Sequence, residues 1–226
     1  MKTGSINKKK IRAVLFDMDG LLVDSMGHHR DAWRDLLKAF KIKVSDQFIY
    51  ENEGAMAPEV IMNLFREQGP AIDLKAVSAI YVRQNEKFIT DYLPFVELFP
   101  QSLPLLQSLR KKGIIMGLVT GSRRNLIERI WKPNELEFFS VIVSADDTER
   151  FKPYPDPYLK AVKDMSLPLA ACLVIENAPA GIQSALSAGL TCLAVASTLP
   201  LEKLSNAHQV FPDLASLSHY LNKTIS

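Results

Sequence analysis

Two acids, Asp17 and Asp19, stand one residue apart, followed by Gly20, directly after the apolar run Ile11-Arg-Ala-Val-Leu-Phe16. Alternate residues of an extended backbone point the same way, so both carboxylates can face one site. Such a pair is costly without a cation or a proton between them. Thr120-Gly121-Ser122 follows a second apolar run and joins a hydroxyl to a tight glycine turn. It can offer N–H groups to an anion at a helix N-terminus, or serve as a plain N-cap, with Ser122 capping a helix that begins at Arg123. Lys152 precedes Pro153, and Glu176-Asn177 follows another apolar run. Brought together, these groups would make a place for a divalent cation and an anionic group.

Such a meeting needs a scaffold that delivers the ends of several strands to one edge. The runs Ile11–Phe16, Ile114–Val119, Phe139–Val143, Cys172–Ile175 and Thr191–Val195 are short, rich in Val, Ile and Leu, and do not alternate with polar residues. That pattern suits central strands of a parallel sheet covered on both faces. Helical stretches over Ser102–Lys112, Ser122–Ile130, Asp156–Asp164 and Ala178–Ala188 lie between them. The alternation predicts a doubly wound α/β sheet with a Rossmann-like core. Ligands of such a sheet bind beyond the carboxyl ends of its strands, near the switch point, which is where the residues above stand.

One connection breaks the rhythm. Between Asp24 and about Phe99 no strand is expected, and four helical stretches fit near 25–40, 46–53, 58–68 and 73–91. Ala32, Trp33, Leu36, Leu37 and Phe40 repeat at helical spacing and define one buried face. So much helix is an inserted subdomain, not a loop. The expected division is a basic tail over 1–10, an α/β core over 11–23 and 96–226, and a helical cap over 24–95.

Composition narrows the partners. The 226 residues are 47% hydrophobic and 23% charged, which excludes disordered and fibrous classes. No apolar run is long enough to span a membrane or to act as a secretory signal. Cys172 and Cys192 sit in apolar runs and are expected as buried thiols of a cytoplasmic protein. The net charge of +2 is local: Lys2, Lys8, Lys9, Lys10 and Arg12 are not matched by any acid there, and the rest of the chain is net acidic. Without aromatic interleaving, the tail is expected to be solvated and not to bind nucleic acid. Nothing in the sequence specifies an oligomeric state.

The segments Asp17-Met-Asp-Gly-Leu-Leu-Val-Asp-Ser25, Val119-Thr-Gly-Ser122, Lys152-Pro-Tyr-Pro-Asp156 and Ile175-Glu-Asn-Ala-Pro-Ala-Gly181 resemble, in order and spacing, the haloacid dehalogenase superfamily. The similar branch carries a helical cap between its first two strands, as β-phosphoglucomutase and its phosphatase relatives do. The resemblance implies that Asp17 is a nucleophile that takes a phosphoryl group and Asp19 the general acid and base. True dehalogenases of the superfamily lack the second aspartate, so Asp19 argues for phosphoryl transfer. Thr120, Gly121 and Ser122 are implied to bind the phosphoryl oxygens, with Arg123 adding charge, and Lys152 to neutralise the nucleophile. Asp17, Asp19, Glu176 and Asn177 are the implied Mg²⁺ ligands. Many relatives have two acids where this chain has Glu176-Asn177, which removes one negative charge.

His29 and Trp33 occupy places similar to a cap histidine and tryptophan of β-phosphoglucomutase and are expected against the substrate. His29 also reads as a satisfied histidine packed on tryptophan. No Lys, Arg or His occurs from Val44 to Phe65, whereas Asp46, Glu51, Glu53 and Glu59 do. Those acids are expected to be uncompensated and to reject the second phosphate that a mutase must hold. The expected function is therefore a Mg²⁺-dependent phosphatase of a small phosphorylated metabolite, with sugar phosphates among the candidates. The alternatives are a β-phosphoglucomutase-like phosphosugar mutase and, because of Asn177, a phospho-ligand binding protein with little turnover.

Overall fold

The computed structural model describes residues 11–52 and 58–225. The basic tail over 1–10 and Glu53 lie outside them. Within the described residues the main sheet has six parallel strands: β1 (Ala13–Phe16), β4 (Ile115–Val119), β5 (Val141–Val143), β6 (Cys172–Glu176), β7 (Thr191–Val195) and β8 (Gln209–Phe211). Their order is β5-β4-β1-β6-β7-β8. Five of the six are the apolar runs expected from sequence. β8 and the helix α10 (Leu214–Thr224) after it were not anticipated, because a three-residue edge strand with a single buried residue, Phe211, carries little apolar signal.

Pleating explains why the runs do not alternate. Val14 and Phe16 of β1 enter one apolar cluster, and Ala13 and Leu15 enter another on the opposite face. β4 and β6 split likewise: Leu118 and Ile175 join the first cluster, Val119 and Val174 the second. Helices cover both faces: α5 (Ser102–Lys111), α6 (Arg124–Ile130), α7 (Pro133–Leu136), α8 (Asp156–Asp164) and α9 (Pro179–Ser187) complete the core with α10. β1 pairs with β4 on one side and β6 on the other. Chain direction across the sheet reverses there, so the crevice opens beyond the carboxyl end of β1.

Helices α1 (Met26–Lys38), α2 (Asp46–Asn52), α3 (Pro58–Gln68) and α4 (Leu74–Lys87) form the insertion. A small antiparallel pair, β2 (Val23–Asp24) and β3 (Glu97–Leu98), joins its two ends. The insertion has its own apolar cluster, including Trp33, Leu37, Ile49, Ile61, Phe65 and Ile80. A smaller cluster of Ala32, Phe88 and Leu126 packs α1 against α6.

Candidate active site

Asp17 continues the sheet: its N–H donates to Ile175 O at 3.0 Å. Met18 points into the core, so Asp17 and Asp19 fall on the other side of the chain. Gly20 then turns the backbone with φ +77°; a Cβ there would lie 2.5 Å from Asn177 Nδ2. Both the left-handed turn and the close approach of Asn177 call for glycine.

A buried ion cluster surrounds Asp17. Lys152, which precedes a cis peptide bond to Pro153, reaches Asp17 Oδ1 at 2.6 Å, Glu176 Oε1 at 2.6 Å and Val119 O at 3.0 Å. An ammonium has three protons, so all are used. The Glu176 carboxylate is 1% exposed on its side chain. Its Oε1 also accepts from Tyr158 Oη at 2.7 Å, and its Oε2 accepts the N–H groups of Asn177 and Ala178 at 3.0 and 3.3 Å. Gly181 leaves room for it: a Cβ there would fall 1.8 Å from Oε1. Glu176 is thus committed to Lys152, Tyr158 and the main chain, not to the open ligand position expected from sequence.

Burial pushes the Asp17 carboxyl up to about 7; Lys152 opposes the rise while Glu176 and Asp19 add to it. Burial also works against the Lys152 charge, but Asp17 and Glu176 outweigh it and hold the ammonium above its usual range. One ammonium shared between two buried carboxylates does not neutralise both.

Asp19 has a different shell. Oδ1 accepts from Ser25 Oγ at 2.7 Å and lies 3.5 Å from His29 Nε2; Oδ2 accepts from Ser122 Oγ at 2.7 Å and Thr120 Oγ1 at 3.3 Å. Burial would raise its pKa, but His29, Ser25 and Ser122 outweigh burial and hold the carboxyl below its usual range. His29 reaches the site from α1, its ring stacked on Phe88 at 3.8 Å and 2°.

Several expectations change here. Ser122 does not cap α6, whose N-cap is Arg123; its hydroxyl turns to Asp19. The Arg123 side chain is 67% exposed and meets Asp146 Oδ1 at 3.5 Å, so its charge is spent outside the site. Gly121 is exposed beside the site, as a loop that meets a ligand must be. Trp33, 2% exposed, is enclosed in the helical insertion edge-on to Tyr81 and offers no surface to a ligand. Steric demand explains this: an indole flanked by apolar helix faces buries more area inside than at a polar mouth. Asp46 and Glu51 are not uncompensated: Asp46 meets Arg34 at 3.0 Å and Arg30 at 3.5 Å, and Glu51 meets Lys203 at 2.8 Å. Their partners come from outside the run that was read alone. Ser25 and Tyr158 were not singled out from sequence. Ser25 stood inside a quoted motif, whereas Tyr158 gave no signal beyond an apolar helix position.

Asn177 Nδ2 donates to Asp19 O at 3.2 Å, while its buried Oδ1 has no hydrogen-bond partner among the described residues. No group of three or more His, Cys, Asp or Glu side chains converges as a metal cluster among them. The oxygens available to a hard cation are therefore mixed: the Asp17 carboxylate, the Asn177 amide oxygen and the Asp19 main-chain oxygen. Asp17, Asp19 and Glu176 set three acids against one ammonium, so a small divalent cation with oxygen ligands and waters fits the charge and the orphaned acceptor.

The sequence profile of the family described as haloacid dehalogenase-like hydrolase matches residues 14–195. Validoxylamine A 7'-phosphate phosphatase of Streptomyces hygroscopicus subsp. limoneus is 28% identical over 91% of this chain and 95% of its own. Hexitol phosphatase A of Escherichia coli K12 is 26% identical over 92% and 94%. A Bacteroides vulgatus structure, provisionally named a β-phosphoglucomutase, superposes with a TM-score of 0.81 at 30% identity, covering 95% of this chain and 89% of that one.

Proposed function

The chain belongs to the haloacid dehalogenase-like hydrolase family and is a phosphoric monoester hydrolase, and we propose that it cleaves a small sugar or polyol phosphate through an aspartyl-phosphate at Asp17. The observation that carries this reading is the division of labour between two carboxylates: Asp17 held on Lys152, Asp19 held by hydroxyls and an imidazole. Relatives named as a hexitol phosphatase and a fructose-1-phosphate phosphatase support the substrate class. The helices of 24–95 serve as the cap and carry His29 to the site.

Lys152 holds Asp17 Oδ1, leaving Oδ2 without a hydrogen-bond partner among the described residues and able to attack phosphorus. As the Asp17 Oδ2–P bond forms, the bond from phosphorus to the alkoxide breaks and Asp19 gives that alkoxide a proton. Asp19 then takes a proton from water as the water oxygen attacks phosphorus, and inorganic phosphate leaves with Asp17 regenerated. Thr120 and Ser122 link the two halves. Their hydroxyls donate to Asp19 here, and a phosphoryl group drawing them away would remove donors that stabilise the Asp19 charge. Asp19 then gains affinity for a proton when it must act as an acid, and loses it once phosphate leaves. Asp17, Asn177 and the Asp19 main-chain oxygen would hold Mg²⁺, which supplies positive charge to the transferring phosphoryl group.

Phosphorus NMR of the enzyme with Mg²⁺ and a hexose 1-phosphate, with and without catalytic hexose bisphosphate, tests hydrolysis against isomerisation. Steady growth of inorganic phosphate with no 6-phosphate is expected. Bisphosphate-stimulated 6-phosphate would refute the hydrolytic reading and bring the cap's Arg30 and Arg34, already near Asp46, into question as phosphate partners.

A further inference from the structure

We propose that Tyr158 is a positioning residue for this hydrolysis: its hydroxyl fixes Glu176 and tempers the pull of Glu176 on the Lys152 ammonium, which is thereby kept on Asp17. The inference rests on the reading of Asp17 as nucleophile. Tyr158 lies on α8, fully buried beneath the site, and cannot touch a substrate. Its hydroxyl donates 2.7 Å to the same Glu176 oxygen that accepts from Lys152 at 2.6 Å. Its ring lies under the ammonium, with Nζ 5.2 Å from the ring centroid. Burial holds the phenol well above its ordinary pKa, so the group remains a donor.

The consequence follows from sharing. Glu176 Oε1 and Asp17 Oδ1 compete for one ammonium whose third proton is committed to Val119 O. A second donor on Oε1 spreads the Glu176 charge and weakens its hold on Lys152. It also fixes where that oxygen stands, because Oε2 is pinned by two N–H groups and the carboxylate rests against Gly181. Without the phenol hydroxyl, Glu176 draws the ammonium toward itself, and the Asp17 carboxylate turns more freely out of its attacking orientation. Substrate binding, which Tyr158 does not touch, should change little.

Wild type, Tyr158→Phe, Glu176→Gln and the double variant are compared on p-nitrophenyl phosphate at saturating Mg²⁺, with melting curves to confirm folding. Phenylalanine keeps the ring beneath Lys152 and deletes one oxygen. The expected result is a fall in kcat of about 10-fold with KM held within about twofold. The double variant should be no slower than Glu176→Gln alone, since both changes break one chain of contacts. A folded Tyr158→Phe enzyme with wild-type kcat overturns the inference, and so does a full, independent loss on top of Glu176→Gln. Should Tyr158→Phe fail to fold, 3-fluorotyrosine at position 158 keeps the shape and strengthens the O–H donor. A kcat that then changes at constant KM supports the inference, and an unchanged kcat overturns it. Asp17→Asn is measured alongside. Retained turnover there would overturn the nucleophile reading and this inference with it. A dead Asp17→Asn enzyme beside an unimpaired Tyr158→Phe enzyme overturns this inference alone.

Discussion

Replacing Asn177 by aspartate puts a further carboxylate beside Asp17, Asp19 and Glu176, where among the described residues Lys152 is the one buried ammonium that answers their charge. In the cation-free protein two costs arise. Asn177 Nδ2 donates to Asp19 O at 3.2 Å, and an ionised carboxylate cannot. Losing that bond and leaving a part-buried carbonyl unpaired costs about 1–3 kcal/mol. The new charge, in a site where burial and neighbouring acids already raise Asp17, adds roughly another 1 kcal/mol before it is relieved by a proton. A total of about 2–4 kcal/mol corresponds to a fall in melting temperature of roughly 5–15 °C for a chain of this size. Mg²⁺ should narrow the gap. One extra negative charge beside the cation should lower the half-saturating concentration about 10-fold, the equivalent of about 1.4 kcal/mol. Saturating metal should therefore raise the melting temperature of Asn177→Asp more than that of wild type. The assay is a set of melting curves at pH 8 over a Mg²⁺ titration, with chelator as the zero point. A variant that melts with wild type in chelator and shows the same half-saturating Mg²⁺ would place position 177 outside the cation's reach, and the account of Asn177 Oδ1 as a waiting acceptor would be wrong.

Proton competition gives a second expectation. The Asp17 carboxyl is raised from 3.8 to about 7, so below that pH a proton must leave before a cation can bind. The raised pKa also means that, without metal, this group's burial costs stability that grows as pH rises from 3.8 toward 7 and is constant above. Calorimetric Mg²⁺ affinity should thus strengthen between pH 6 and 8 with proton release at the lower pH, and a pH-independent affinity would contradict it. Gly181→Ala supplies a third. An exposed helical glycine usually gains stability on this change, but here the Cβ would fall 1.8 Å from Glu176 Oε1. A loss of about 1–3 kcal/mol with reduced kcat is expected, because Glu176 and then Lys152 must move; a more stable, fully active variant would show that the carboxylate relocates without cost.

The strands and the order of the site residues were legible because each is a local pattern. An unbroken apolar run marks a strand buried on both faces, and acids directly after such a run stand at a strand's carboxyl end. The helical insertion was legible for the same reason, through the spacing of Ala32, Trp33, Leu36 and Leu37. β8 was not, being three residues at an edge of which only Phe211 is buried. What only the tertiary structure decided is which partner each polar group meets. Ser122 looked like a helix cap, yet its hydroxyl is spent on Asp19, 103 residues earlier in the chain. Trp33 looked like a substrate contact and lies inside the insertion, while Asp46 and Glu51 found cations on other elements. Glu176 looked like a metal ligand, and its four donors come from the turn between β6 and α9, which gives two, from α8 and from the loop of Lys152. Hydrogen bonds and ion pairs act over about 3–4 Å and take no account of sequence separation. A sequence can therefore say which residues are able to donate or accept, but the partner is chosen only when the sheet brings the ends of β1, β4 and β6 together.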